Sequence, residues 1–261
     1  MSKVRAKEYQ VRIDHALATP KLQDALHKFG DAFLLAREKA FSQYDFEALR
    51  QEIADCKDEV AAHRQQYLEQ FITNAEAAGA TVYLAKTAAD ANQYIADLAR
   101  TKGVKLVTKS KSMASEETHL NQALESAGVE ALETDLGEWI IQLAGQRPSH
   151  MVMPAIHMFK EEVAELFSKV TGSEEPAEIE HLVQVAREQL RQGYLDADMG
   201  ITGANVAVAE TGGIALVTNE GNARLVSTLP KIHVALLGIE KIVPTLEDAA
   251  TIIRTLPKNA T

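Results

Sequence analysis

The 261-residue chain has a single cysteine, Cys56. No internal disulfide is possible, and the expected compartment is a reducing cytoplasm. Basic residues are scarce: 27 Lys and Arg stand against 37 Asp and Glu, for a formal net charge of −10. Phosphate binding needs clustered Lys and Arg, so a nucleic-acid partner is not expected. No apolar run reaches the roughly 18 residues that a membrane span requires. The first residues, Met-Ser-Lys-Val-Arg-Ala-Lys-Glu-Tyr, contain no apolar signal-peptide core. The nucleotide, hydrolase and zinc-protease signatures G-x-G-x-x-G, P-loop, G-x-S-x-G and H-E-x-x-H are all missing. Gly200-Ile-Thr-Gly203 is a short glycine pair and no dinucleotide fingerprint.

The chain does have two contrasting patterns. Residues 1–78 repeat apolar side chains at three- and four-residue spacing (Leu22, Leu26, Phe29, Phe33, Ala36) and read as an N-terminal helical extension. Pro20 suits a first helical turn, with Thr19 as its cap. Residues 79–261 alternate short β-type runs with amphipathic helices. Strands are expected at 80–85, 104–108, 129–133, 150–153, 206–209, 214–217, 224–227 and 233–237. Helices are expected at 88–100, 114–126, 137–144, 159–170 and 179–195. This alternation predicts an α/β domain with a mainly parallel open sheet and helices on both faces.

Five groups of residues could carry chemistry. Lys109-Ser110-Lys111-Ser112 follows a strand and opens a helix, where two ammoniums, two hydroxyls and free N–H groups suit a carboxylate or phosphate. The plainer reading is that Ser112 caps the helix and the lysines are solvated. Glu210-Thr211-Gly212-Gly213 is a tight turn between two strands, whose glutamate could be a nucleophile or simply a turn carboxylate. Asn219-Glu220-Gly221-Asn222 followed by Arg224 offers a guanidinium for a carboxylate and amides for a hydroxyl, or else a hairpin turn. His157, before Glu161, is a candidate acid or base, or a packing histidine. Glu138, in Asp135-Leu-Gly-Glu138, enters a helix start where a carboxylate is stabilised by the dipole. No spacing supports a metal site.

Several segments together resemble the lactate-utilization (LUD) domain family. They are residues 201–205 (Ile-Thr-Gly-Ala-Asn), 209–212 (Ala-Glu-Thr-Gly), 216–222 (Leu-Val-Thr-Asn-Glu-Gly-Asn), 224–230 (Arg-Leu-Val-Ser-Thr-Leu-Pro) and 238–245 (Gly-Ile-Glu-Lys-Ile-Val-Pro-Thr). Residues 109–113, 134–138 and 154–157 add to the match. The resemblance covers nearly the whole chain and is weakest before about residue 60.

The resemblance implies a NagB/RpiA/CoA-transferase-like fold and a part in bacterial oxidation of L-lactate to pyruvate. It also implies C-terminal cysteine runs holding [4Fe–4S] clusters, each needing about four thiolates. Those runs are not in this sequence, so it is expected to be the LUD portion of a longer iron–sulfur protein, with no cofactor of its own. The plainer alternative is a natural LUD-only protein. The expected role is to position substrate or dock other lactate-utilization subunits, with homo-oligomerisation left open. Glu210 or His157 would act as base, and a small 2-hydroxy or 2-keto acid would lie among Lys109, Ser110, Lys111, Thr211, Asn219, Glu220, Asn222 and Arg224. Glu138 and Asn205 are further candidates. Two other readings remain: acyl or sugar-phosphate chemistry at Glu210, and a non-catalytic interaction module.

Overall fold

A computed structural model describes residues 3–150, 152–218 and 220–260. The chain opens with four helices: α1 (Lys3–Leu17), α2 (Pro20–Phe41), α3 (Phe46–Ala62) and α4 (Arg64–Ala77). Pro20 takes the first turn of α2 as expected, although Thr19 does not cap it and bonds back to His15 instead. Asp45 does cap α3, accepting from the Ala48 amide.

After α4 the chain alternates. It runs through α5 (Ala88–Thr101), β1 (Leu106–Lys109), α6 (Met113–Glu117), α7 (Leu120–Ser126) and β2 (Glu130–Glu133). It continues through α8 (Leu136–Ala144), α9 (Lys160–Thr171), α10 (Ile179–Asp196) and β3 (Met199–Thr202). The rest is β4 (Val206–Val208), β5 (Gly213–Ala215), α11 (Asn222–Thr228), β6 (Ile232–Ala235), β7 (Ile242–Val243) and α12 (Leu246–Ala260).

Four strands form one all-parallel sheet in the order β2-β1-β3-β6. Alternation along its strands turns Val107, Ala131, Met199 and Ile201 toward Ile95, Ala99, Leu120 and Leu124 of α5 and α7. On the opposite face α11 comes so close to β3 that a Cβ on Gly200 would lie 1.8 Å from the Val226 carbonyl oxygen. Leu132 of β2 packs there with Trp139, Phe167 and Leu190 from α8, α9 and α10. The expected parallel sheet with helices on both faces is therefore present.

A second sheet, β5-β4-β7, pairs β4 antiparallel with β5 and parallel with β7. It is covered by the N-terminal helices: Val60, Phe71 and Ala75 pack on Ala207, Ala209 and Ile242. At the β4–β5 turn a Cβ on Gly212, whose φ is +70°, would lie 2.1 Å from the Ala75 amide nitrogen. Glycine is required there both for the left-handed backbone and for the close approach.

Four expectations are corrected. Residues 80–85 form no strand, because side chains hold them to α5: Tyr83 stacks on Tyr94 at 3.9 Å and donates to Asp90, which also accepts from the Lys86 amide. Residues 150–153 form no strand where they are described, since His150 Nδ1 folds back to accept from the Val152 and Met153 amides. Residues 224–227 lie in helix α11. Its buried Asn222, Ala223 and Val226 follow a helical spacing, and Gly221 at φ +77° turns the chain into it. The helix expected at 114–126 is broken in two at His119, which adopts the left-handed conformation.

Candidate functional site

The order of the parallel sheet reverses beside β1. The chain steps from β1 to β2 on one side and then crosses back to β3 on the other. Open α/β sheets carry their ligand crevice outside the carboxyl ends of the strands at such a reversal, which here lies beside the loops that leave β1 and β3. They touch there: a Cβ on Gly203 would lie 2.9 Å from Ser112 Oγ. Ser112 caps α6, as expected from the sequence, by accepting from the Ser115 amide.

Around this crevice the side chains form one polar cluster. Lys109 is not solvated. Its side chain is 1% exposed, and the ammonium is shared among Ser115 Oγ at 2.9 Å, Glu116 at 2.9 Å and Glu133 at 2.8 Å. Three donors meet three internal acceptors, so none remains for a ligand. Burial opposes the Lys109 charge, and the Glu133 and Glu116 carboxylates more than offset it, so the ammonium stays protonated. The expected role of Lys109 as a substrate contact therefore loses its physical basis.

Lys111 is more open, with its side chain 22% exposed. It pairs with Asp135 at 3.1 Å and donates to the Val152 carbonyl at 3.0 Å. Asp135 caps α8 through the Gly137 and Glu138 amides. Glu220 reaches the same helix start, accepting from the Leu136 amide at 3.2 Å. Burial, and then the Asp135 charge, raise the Glu220 carboxyl above its ordinary value. Asn222 is buried beside them and donates to Thr134 Oγ at 3.4 Å, and Thr218 donates to Asn222 Oδ1. Ser110 is buried in the loop between Lys109 and Lys111.

Glu138 completes the group. It is 7% exposed, and its carboxyl is pushed up to about 7, first by burial and then by the Glu133, Glu116 and Asp135 carboxylates. A carboxyl poised near neutrality at the edge of a crevice can give or take a proton at working pH.

Other expected residues lie outside this cluster. Glu210 is exposed on the β4–β5 turn, where Asn74 of α4 donates to the carbonyls of Ala209 and Glu210. Thr211 Oγ accepts from the Gly213 amide, as a turn hydroxyl does. Asn205 closes the hairpin, accepting from the Val217 amide. His157 does not follow a strand; it lies in a turn before α9, with Nε2 2.7 Å from Gln146 Oε1 and Nδ1 buried without a partner. Burial holds it below the usual histidine range. Arg224 is exposed in the first turn of α11; its carbonyl accepts from Ser227 and Thr228, and its guanidinium makes no hydrogen bond or ion pair among the described residues. Asn219 falls outside the described residues.

The sequence reading missed Glu133, Glu116, Ser115 and Asn121. One signal was available for Glu133. It is in phase with the buried Ala131 on a strand, as Lys109 is with Val107, and the two pair in register, Lys109↔Glu133. A charge on the core-facing side of a strand demands a partner.

Among the described residues no group of three or more His, Cys, Asp or Glu is arranged for a metal ion. An iron–sulfur cluster needs about four thiolates. Cys56 is the one thiol in this sequence; it packs on Val206, Val208 and Val243, and is pushed up to about 11 by burial and then by Asp248. These residues do not fit such a group. Among the described residues no helix is long and apolar enough to cross a membrane.

A family model described as the LUD domain matches residues 68–261. Lactate utilization protein B of Oceanobacillus iheyensis is 39% identical over 99% of this chain and 54% of its own length. The protein of the same name from Shouchella clausii is 49% identical over 76% of this chain and 42% of its own. An uncharacterized electron transport protein of Escherichia coli, YkgF, is 38% identical over 97% of this chain and 54% of its own. The chain thus spans about half the length of these curated relatives. No solved structure matches it. The family model covers the parallel sheet, the crevice and the polar cluster together, and the chain belongs to the LUD domain family.

Proposed function

We propose that this chain is the LUD portion of a lactate-utilization electron-transfer protein, and that the crevice at the carboxyl ends of β1 and β3 holds a small 2-hydroxy or 2-oxo carboxylate. The observation that supports the reading is one helix start at the reversal of the sheet: Asp135 caps it and pairs with Lys111, and it carries Glu138, poised near neutrality. Lys111 is the partly open ammonium of the cluster. It supplies the charge for a substrate carboxylate, with Ser110 as a neutral donor. Glu138 then accepts the proton of a 2-hydroxyl.

Removing electrons from an alcohol carbon needs a redox group. No step of that kind is assigned to these residues. The relatives' names, lactate utilization and electron transport, support the substrate class and the setting.

Docking of partner subunits is the second reading. The exposed Tyr9, Val11, Leu17, Leu34 and Leu35 on α1 and α2 favour it. Nothing at the Glu210 turn favours acyl transfer.

The test is a calorimetric titration of the chain with L-lactate and pyruvate. Saturable binding is expected, weakened at least about tenfold by Lys111→Ala, because it removes a charge-assisted bond. Absence of binding, or binding indifferent to that substitution, would remove the site from this crevice.

A further inference from the structure

Two buried oxygens near the crevice have no partner: Glu133 Oε2 and Asn121 Oδ1. They belong to groups that are already joined, since Asn121 Nδ2 donates to Glu133 Oε1 at 2.7 Å. The same Oε1 also receives Lys109 at 2.8 Å. If Glu133 were ionised, its bare Oε2 would be buried in the company of an equally bare amide oxygen, at the full desolvation cost of both. Turning the amide over gains nothing, because it sets oxygen against Oε1.

One proton resolves both defects. Placed on Oε2, it makes that oxygen a donor, and the Asn121 amide, already joined through Nδ2, offers its bare Oδ1 as acceptor for a second bond of an acid–amide pair. The charges then balance as well. Lys109 and Glu116 cancel, whereas an ionised Glu133, only 3% exposed, would add an uncompensated buried charge.

We propose that Glu133 is a carboxylic acid with its proton on Oε2, shared with the Asn121 amide oxygen, and that this neutral acid is a positioning residue. It fixes Lys109 against Glu116 and leaves Glu138 as the proton-exchanging carboxyl of the cluster. The groups facing it are Lys109 from β1, Glu116 from α6, Asn121 from α7 and Glu138 from α8, and Gln142 of α8 accepts from its amide. Burial raises the Glu133 carboxyl even against Lys109 and Asn121, in the same direction as the geometry. With Glu133 neutral, its charge no longer adds to the rise of the Glu138 carboxyl, which burial still raises first, with Glu116 and Asp135 as the charges beside it. Only the consequence for Glu138 rests on the proposed function; the proton on Glu133 stands without it.

The test is infrared spectroscopy of the ligand-free chain near pH 8, in H2O and D2O. A carbonyl band of a protonated carboxyl is expected, shifted in D2O, lost in Glu133→Gln and retained in Glu138→Gln. Glu133→Gln should also keep the wild-type urea midpoint, because the glutamine NH2 replaces the acid O–H toward Asn121 Oδ1. By ¹³C NMR it should leave the Glu138 titration midpoint in place, one neutral group having replaced another. Absence of the band from the wild type overturns the proposal. So does a band that survives Glu133→Gln, a collapse of that variant's urea midpoint, or a fall in the Glu138 midpoint, each of which marks an ionised Glu133. No ligand is used, so this experiment and the lactate titration can fail separately.

Discussion

Glu138→Gln should stabilise the protein, and only at high pH. The Glu138 carboxyl titrates at about 7 in the folded chain against an ordinary 4.5. Between those values the folded state keeps a proton that the unfolded chain releases. The native state then binds more protons, so stability falls as pH rises from 4.5 to about 7 and remains lost above that. A shift of this size corresponds to at most about 3.4 kcal/mol. Solvent screening, and the absence of charge on a protonated Glu133, lower a realistic figure to about 2 kcal/mol. Glutamine has the same shape and carries no charge, so it escapes this loss. The assay is urea unfolding of both proteins from about pH 4.5 to 8.5. It can be followed by the fluorescence of Trp139, the only tryptophan, which is buried next to the substituted residue. The stability difference should be small at the acid end and grow by about 2 kcal/mol in favour of Glu138→Gln at the alkaline end. A difference that is flat with pH, or that grows in favour of the wild type, would refute the burial and charge assigned to Glu138.

Two further outcomes follow from the packing. Lys109→Met should cost about 3 kcal/mol in urea unfolding, because it strips the cation from Glu116; the cost stays at the low end for a broken buried pair since Glu116 is 37% exposed. Gly212→Ala should lower stability by roughly 3 kcal/mol or more, measured by thermal unfolding, because its Cβ would meet the Ala75 backbone and its φ is +70°. It should leave lactate binding at the other sheet unchanged.

Much of the fold was legible because burial imposes period. The parallel strands read as short apolar runs, and α5, α8 and α10 as amphipathic stretches capped where their sequences allow. The hairpin at Glu210–Gly213 was legible from its glycines. Residues 224–227, Arg-Leu-Val-Ser, failed because Leu225-Val226 reads as a short apolar run, and their helical state is set by Gly221 and by contact with β3.

The site was half legible. The loop Lys109–Ser112 stood out by its position after a strand, yet the fate of each lysine depends on pairing that local sequence does not show. Lys109 and Glu133 are brought into register only by the β1–β2 ladder, and that contact turns an apparent surface lysine into a buried one bonded to Glu133. Glu210 attracted notice through its turn chemistry, which the structure spends on packing against α4.

The most direct test of the central claim is where a ligand binds. Pyruvate added to the ¹⁵N-labelled chain should shift the amides of Ser110, Lys111 and Ser112, of Gly137 and Glu138, and of Gly203, the groups that line the crevice between β1 and β3. Shifts confined to the Glu210–Gly213 turn, or to the exposed faces of α1 and α2, would contradict it.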